Sequence, residues 1–166
     1  MDVVNGCLDR KDIERLYAEH ATVLTGYACS LTGDRSAAED VVHQVFARLL
    51  RGDIVVRERP LTYLCQAVRN GVMNQRRNQS REVALDENGA SWLEAPPSLA
   101  ETGLAIEAAL GRLPEEQREV IVLKVWGRLS FEEIAEAVGA PANTAASRYR
   151  YGLSKLRELL KPLGVD

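Results

Sequence analysis

The residues with the clearest chemical potential are cationic and amide side chains in two places. Near the C-terminus the run Asn143-Thr144-Ala145-Ala146-Ser147-Arg148-Tyr149-Arg150-Tyr151, followed by Lys155 and Arg157, sets small and polar residues ahead of a cationic turn. Such a run suits the N-terminal part of a helix inserted into a DNA major groove, where small side chains allow close approach and Arg or Tyr one turn later reaches base edges and phosphates. The second set is Arg69, Asn70, Asn74, Arg76 and Arg77, with Tyr63 upstream. On one helix face these residues suit phosphates and the exposed bases of separated strands, and Tyr63 could add stacking. Solvated outer faces of ordinary amphipathic helices have the same composition, so both readings stay open at this level.

Other chemistry finds little support. Cys7, Cys29 and Cys65 are odd in number, far apart and without a C-x-x-C pair, and the only histidines are His20 and His43. A structural zinc site wants four closely spaced ligands, so no metal and no cofactor is expected. Cys29 and Cys65 sit among apolar residues at helical spacing and read as small core hydrophobes. Cys65, His43 and Asp40 form a catalytic set only on paper, with no oxyanion loop or glycine-rich phosphate cradle beside them, and no catalytic residue is assigned.

The elements that must position the two polar faces are helices. Among 166 residues, 46% are hydrophobic and only 5% aromatic, while Ala, Leu, Glu and Arg recur, which favours an all-α chain of one domain or two small ones. No apolar run is long enough to span a bilayer, and Met1-Asp2-Val3-Val4-Asn5-Gly6 lacks the basic start and apolar stretch of a secretion signal. The expectation is a cytoplasmic chain without membrane contact of its own. The net charge of −3 hides local balances of −4 over residues 1–47, +6 over 48–81, −8 over 82–146 and +3 over 147–166. Two cationic patches separated by an acidic stretch suit two contacts with a polyanion.

From Lys11 to Leu31 apolar residues recur at three- and four-residue steps as one helical stripe, which Gly33 ends. Ser36-Ala37-Ala38-Glu39 reads as a capping box opening a second helix with Val41, Val42, Val45, Phe46, Leu49 and Leu50 inside and Gly52 at its close. After a polar loop, Pro60 suits the first turn of a third helix to about Asn78, with Leu61, Leu64, Cys65, Val68 and Val72 buried; Gly71 within it implies close packing or backbone approach. Residues 80–100 lose the periodicity and gain turn residues, marking a flexible linker in which Trp92 and Leu93 stand out. Domains of 1–80 and 103–166 follow, joined by 81–102. The second contains a pattern at Leu104 to Leu110, a helix opened by Pro114, a capping box at Ser130-Phe131-Glu132-Glu133, and a turn at Gly139-Ala140-Pro141-Ala142. A last helix follows, capped by Asn143, with Tyr149, Leu153, Leu156 and Leu160 as its stripe. A short helix, a glycine turn and a longer cationic helix is the helix-turn-helix pattern.

These residues carry a family resemblance. Leu31-Thr32-Gly33-Asp34, Ala38-Glu39-Asp40-Val41-Val42-His43-Gln44-Val45-Phe46, Tyr63-Leu64 with Arg69-Asn70, Glu133-Ile134-Ala135, Asn143 through Tyr151 and Leu156-Arg157 together resemble an ECF (extracytoplasmic function) sigma factor of bacterial RNA polymerase, over about residues 11–162. The resemblance implies a two-domain initiation factor that binds core polymerase, through the β′ clamp helices and the β subunit, and promoter DNA. By that resemblance Asp40, His43 and Gln44 are the exposed polymerase contacts, while Val42, Val45 and Phe46 belong to the core. The loop Arg51 to Arg59 and the helix from Pro60 would meet the minus-ten element, where a base is flipped from the non-template strand, with Arg69, Asn70, Asn74, Arg76 and Arg77 on that surface. Thr144, Ser147, Arg148, Arg150, Tyr151 and Lys155 would read the minus-thirty-five element. An anti-sigma factor is the further partner implied. The chain departs from the family pattern in having His43 where Gln is commonest, Asn74 where Asp is frequent, Asn143 where many members have Gly, and Ala146 where some have a basic side chain.

Two other readings remain at this level. One is an autonomous helix-turn-helix transcriptional regulator, which would dimerise on a palindromic operator. The other is a small enzyme using His43 and Cys65.

Overall fold

The computed structural model describes residues 8–56, 58–80 and 100–164. Among them are seven α-helices and no strand, and the chain divides into two compact units, Met1–Asn88 and Gly89–Asp166. Cys7, Trp92 and Leu93 and residues 81–99 of the expected linker lie outside the described residues.

In the first unit, α1 (Arg10–Thr32) starts on Asp9, whose carboxylate accepts the Asp12 N–H at 2.7 Å. Its buried side carries Ile13, Leu16, Leu24, Tyr27, Ala28 and Leu31. Gly33 ends it at φ 71°, a left-handed conformation that costs glycine nothing, and donates its N–H to the Cys29 carbonyl at 2.8 Å. The next helix, α2 (Arg35–Arg51), begins immediately, and its cap differs from the expected box. Asp34 accepts the Ser36 N–H at 2.9 Å, which places Ser36 inside the first turn, while Glu39 pairs with Arg35 at 2.9 Å. The reason is position: Asp34 is extended, directly after the Gly33 turn, and reaches the orphan amide before Ser36 can stand outside the helix. Ala38, Val41, Val42, Val45, Phe46 and Leu49 are buried, but Leu50, expected among them, is 57% exposed.

Pro60 opens α3 (Pro60–Gln79), after Arg59 at φ 48°. Thr62, Leu64, Cys65, Val68 and Val72 are buried; Leu61 is only half-buried. The three helices pack on one another in every pairing. At Gly71 α3 lies close against α2, since a Cβ there would lie 2.9 Å from Val41 Cγ1. Gly71→Ala is therefore expected to destabilise the unit. Overpacking costs about 1–3 kcal/mol and outweighs a helix-propensity gain of at most about 1 kcal/mol, because β-branched Val41 cannot rotate away freely. In a Val41→Ala background the same change turns neutral or stabilising; urea unfolding of the four variants checks the coupling.

The second unit holds α4 (Ala100–Gly111), α5 (Glu115–Val125), α6 (Phe131–Val138), α7 (Ala142–Leu160) and a 3-10 turn at Lys161–Leu163. The first of these begins inside the stretch read as linker. Leu110, Leu113 and Ile121 form a core against which Ile106, Tyr149, Leu153, Leu156 and Leu159 pack, so Leu159 stands in that cluster where Leu160 was expected. The expected box at α6 is present, with Glu133 N–H donating to Ser130 Oγ at 3.1 Å and Ser130 N–H to Glu133 Oε2 at 2.8 Å. Gly139 closes this two-turn helix at φ 69°. Asn143 is not the cap of α7. The helix starts two residues earlier than that cap would place it, at Ala142, because Pro141 presets its own φ at −62° and offers its carbonyl to the Ala145 N–H at 3.0 Å. Between α5 and α6, Lys124 donates to the Leu129 carbonyl at 3.0 Å and lies 4.6 Å from the Phe131 ring centre, and Phe131 meets Tyr149 edge-on. That chain of contacts sets the short helix against the long one, as a helix-turn-helix requires.

Candidate functional surfaces

On α2, Asp40, His43 and Gln44 are all exposed. Spacings of three and four residues put them on one face, opposite Val42, Val45 and Phe46, which are buried. The His43 ring is positioned from α1: it stacks on Tyr17 with centroids 6.4 Å apart, and Tyr17 Oη lies 3.4 Å from His43 Nε2. Tyr17 in turn meets Phe46 edge-on at 5.0 Å. Tyr17 reads in the sequence as one more member of a core stripe; only the packing of α1 on α2 gives it this second role.

On α3, Asn70, Asn74 and Arg77 are exposed, at a four- and then three-residue step that forms one row. Arg69 is half-buried at its margin. Arg76 departs from the expected surface. Its guanidinium is half-buried and donates to the Leu31 carbonyl near the end of α1, with a second nitrogen 4.0 Å from Met73 Sδ. The physical reason is that the last carbonyls of a helix lack intrahelical partners and carry partial negative charge, so a cation is favourable there.

On α7 the buried residues are Ala145 and Gly152. A Cβ at Gly152 would come within 2.8 Å of Ile121 Cδ1 and 3.2 Å of Gln117 Cβ, so α7 and α5 approach closely at that point. Asn143, Arg150, Tyr151, Ser154 and Lys155 are exposed, Tyr151 at 68%, while Thr144, Ser147 and Arg148 are half-buried. Arg150 Nη2 donates to Ser147 Oγ at 3.4 Å. Arg148 Nη2 lies 3.6 Å from Glu116 Oε1 on the first turn of α5, which holds this cation to one side of the helix. Sequence spacing gave no sign of that pairing, because the partners are far apart in the chain.

The Cys65, His43 and Asp40 combination does not assemble. Cys65 is fully buried, while the other two face outward. Burial pushes the Cys65 thiol up to about 12, so it stays protonated at neutral pH and is a poor nucleophile. Among the described residues no three His, Cys, Asp or Glu side chains gather as metal ligands, and no helix is long and apolar enough to cross a membrane.

Sigma-70 region 2 matches residues 16–82, and Sigma-70, region 4 matches residues 103–156. The ECF RNA polymerase sigma factor SigL of Mycobacterium tuberculosis is 35% identical over 158 residues, covering 90% of this chain and 89% of SigL. The RNA polymerase sigma factor CarQ of Myxococcus xanthus is 30% identical over 162 residues, covering 92% and 91%. In fold, the chain is similar to the sigma factor RpoE of Bartonella quintana, solved in complex with the anti-sigma factor NepR. That match has a TM-score of 0.72 at 24% identity and covers 91% of this chain and 98% of RpoE. It is also similar to CnrH, solved with the cytosolic domain of CnrY, at TM-score 0.67 and 23% identity, covering 93% and 90%. Nearly full-length similarity to sigma factors favours that reading over an autonomous regulator. The chain belongs to the ECF sigma factors of bacterial RNA polymerase.

Proposed function

We propose that this ECF sigma factor docks on core polymerase through the Asp40, His43 and Gln44 face of α2. The β′ clamp helices receive it there, and the β subunit forms the further contact. The row Asn70, Asn74 and Arg77, with Arg69 beside it, meets the minus-ten element. Extruding a base from the duplex costs a few kcal/mol, which the amides and cations of α3 must offset. Ser147, Arg150 and Tyr151, flanked by Thr144, Arg148 and Lys155, read the minus-thirty-five element in the major groove. The chain itself catalyses no reaction and takes no cofactor; it acts in the cytoplasm, where its polymerase is. Because RpoE was solved with the anti-sigma factor NepR, we extend to this chain control by an anti-sigma factor.

The observation that carries the reading is that a polar row on α3 and another on α7 stand on separate compact units, as two separated promoter elements require. Run-off transcription with bacterial core polymerase, on promoters selected from a random library, tests it: initiation with two recovered sequence elements supports the assignment. Tight binding of the free protein to a palindromic duplex, with no binding to core, overturns it.

The Glu116 carboxylate lies beside Arg148 and competes with DNA phosphate for that cation. Replacing Glu116 with Gln is expected to change stability by no more than about 1 kcal/mol, since the carboxylate is 68% exposed. Affinity of the holoenzyme for minus-thirty-five duplexes of any sequence should rise, with the log–log salt dependence steeper by roughly one. Fluorescence titrations at several salt concentrations measure both.

A further inference from the structure

We propose that Asn143 is a base-reading residue of the minus-thirty-five contact and that the base it selects is adenine. The proposal rests on α7 being the promoter-reading helix and goes beyond it by naming a residue and its base. Asn143 is the second residue of α7, whose start is set by Pro141 without any side-chain capping bond. Asn143 is exposed, and no side chain caps the helix end. At 3.6 residues per turn, positions four, seven and eleven further on fall in the same row, and these are Ser147, Arg150 and Ser154.

That row is turned away from the packed side of α7, where Ala145 and Gly152 are buried and Tyr149, Leu153 and Leu156 meet the core. Ser147 and Arg150 are hydrogen-bonded to each other within it, whereas Arg148 lies outside it beside Glu116. A recognition helix brings its N-terminal residues nearest to the base edges. The short Asn143 side chain is therefore in the first turn, the place from which it can reach. Its amide presents a donor and an acceptor in one plane, which match adenine N7 and N6 in the major groove. The helix start leaves both groups available, so pairing with a base disrupts no capping interaction.

The test is run-off transcription by the holoenzyme from a library randomised across the minus-thirty-five element, comparing wild type, Asn143→Ala and Arg150→Ala. Alanine is a good helix former at an exposed first-turn position, and matching thermal melts of wild type and Asn143→Ala confirm the fold. The expected result is an adenine preference of roughly tenfold at one position in wild type, reduced to near parity by Asn143→Ala with the other positions unchanged. If Arg150→Ala alters the selected sequence and Asn143→Ala does not, the assignment of Asn143 falls while the reading of α7 stands. If neither changes it, both fall. Loss of preference for a base other than adenine overturns the adenine assignment.

Discussion

Replacing Asp40 with Arg and Gln44 with Ala in the same chain is expected to lower run-off transcription by core polymerase at least about tenfold, equivalent to about 1.4 kcal/mol of lost binding when the chain is held well below its Kd for core. Both side chains are exposed on one face of α2, with the packed residues Val42, Val45 and Phe46 on the other side. Their replacement leaves stability within about 0.5 kcal/mol, so a loss of transcription cannot be traced to unfolding. Reversing the charge at Asp40 adds repulsion to the loss of a partner, which is why the double variant is preferred to alanine at both sites. Thermal melts and a core-binding titration accompany the transcription assay. Full activity of the double variant, with unchanged affinity for core, would remove α2 from the polymerase interface.

The neighbouring arginines Arg76 and Arg77 are expected to give opposite results. Arg76→Ala leaves the Leu31 carbonyl without its guanidinium partner, and an unsatisfied, partly buried acceptor costs about 1–3 kcal/mol. Arg76→Lys restores the charge without the planar fork and recovers only part of that stability. Arg77 is exposed on the row with Asn70 and Asn74. Arg77→Ala should leave stability within about 0.5 kcal/mol, weaken promoter binding across sequences and reduce the salt slope by roughly one. Urea unfolding and salt-dependent titration of a promoter bubble separate the two. Should Arg76→Ala alter only DNA affinity, its guanidinium belongs to the promoter surface after all.

Much of the fold was legible because the signals are local. The stripe from Ile13 to Leu31 and the stop at Gly33 need only neighbours in the chain, and so do Pro60 at the first turn of α3 and the Ser130 and Glu133 box. A capping box is closed within four residues, and a helical stripe repeats every turn. Where several cap formers lie close together the signal is ambiguous. Ser36 and Asn143 both looked like caps, and in both cases a residue two positions earlier took the place, Asp34 after a left-handed glycine and Pro141 through its restricted φ. That displacement leaves Asn143 exposed in the first turn of α7.

The sequence by itself determined the all-helical class, the helix-turn-helix and the family, because hydrophobic period, turn residues and motif order are all written along the chain. Only the tertiary structure decided which polar residues on those helices face outward. Arg76 reaches a carbonyl 45 positions away, Arg148 is drawn to Glu116 on another helix, and Tyr17 sets the ring of His43. Spacing assigns a residue to a helix face, but the direction of a long side chain depends on the charges and unpaired carbonyls that packing brings beside it.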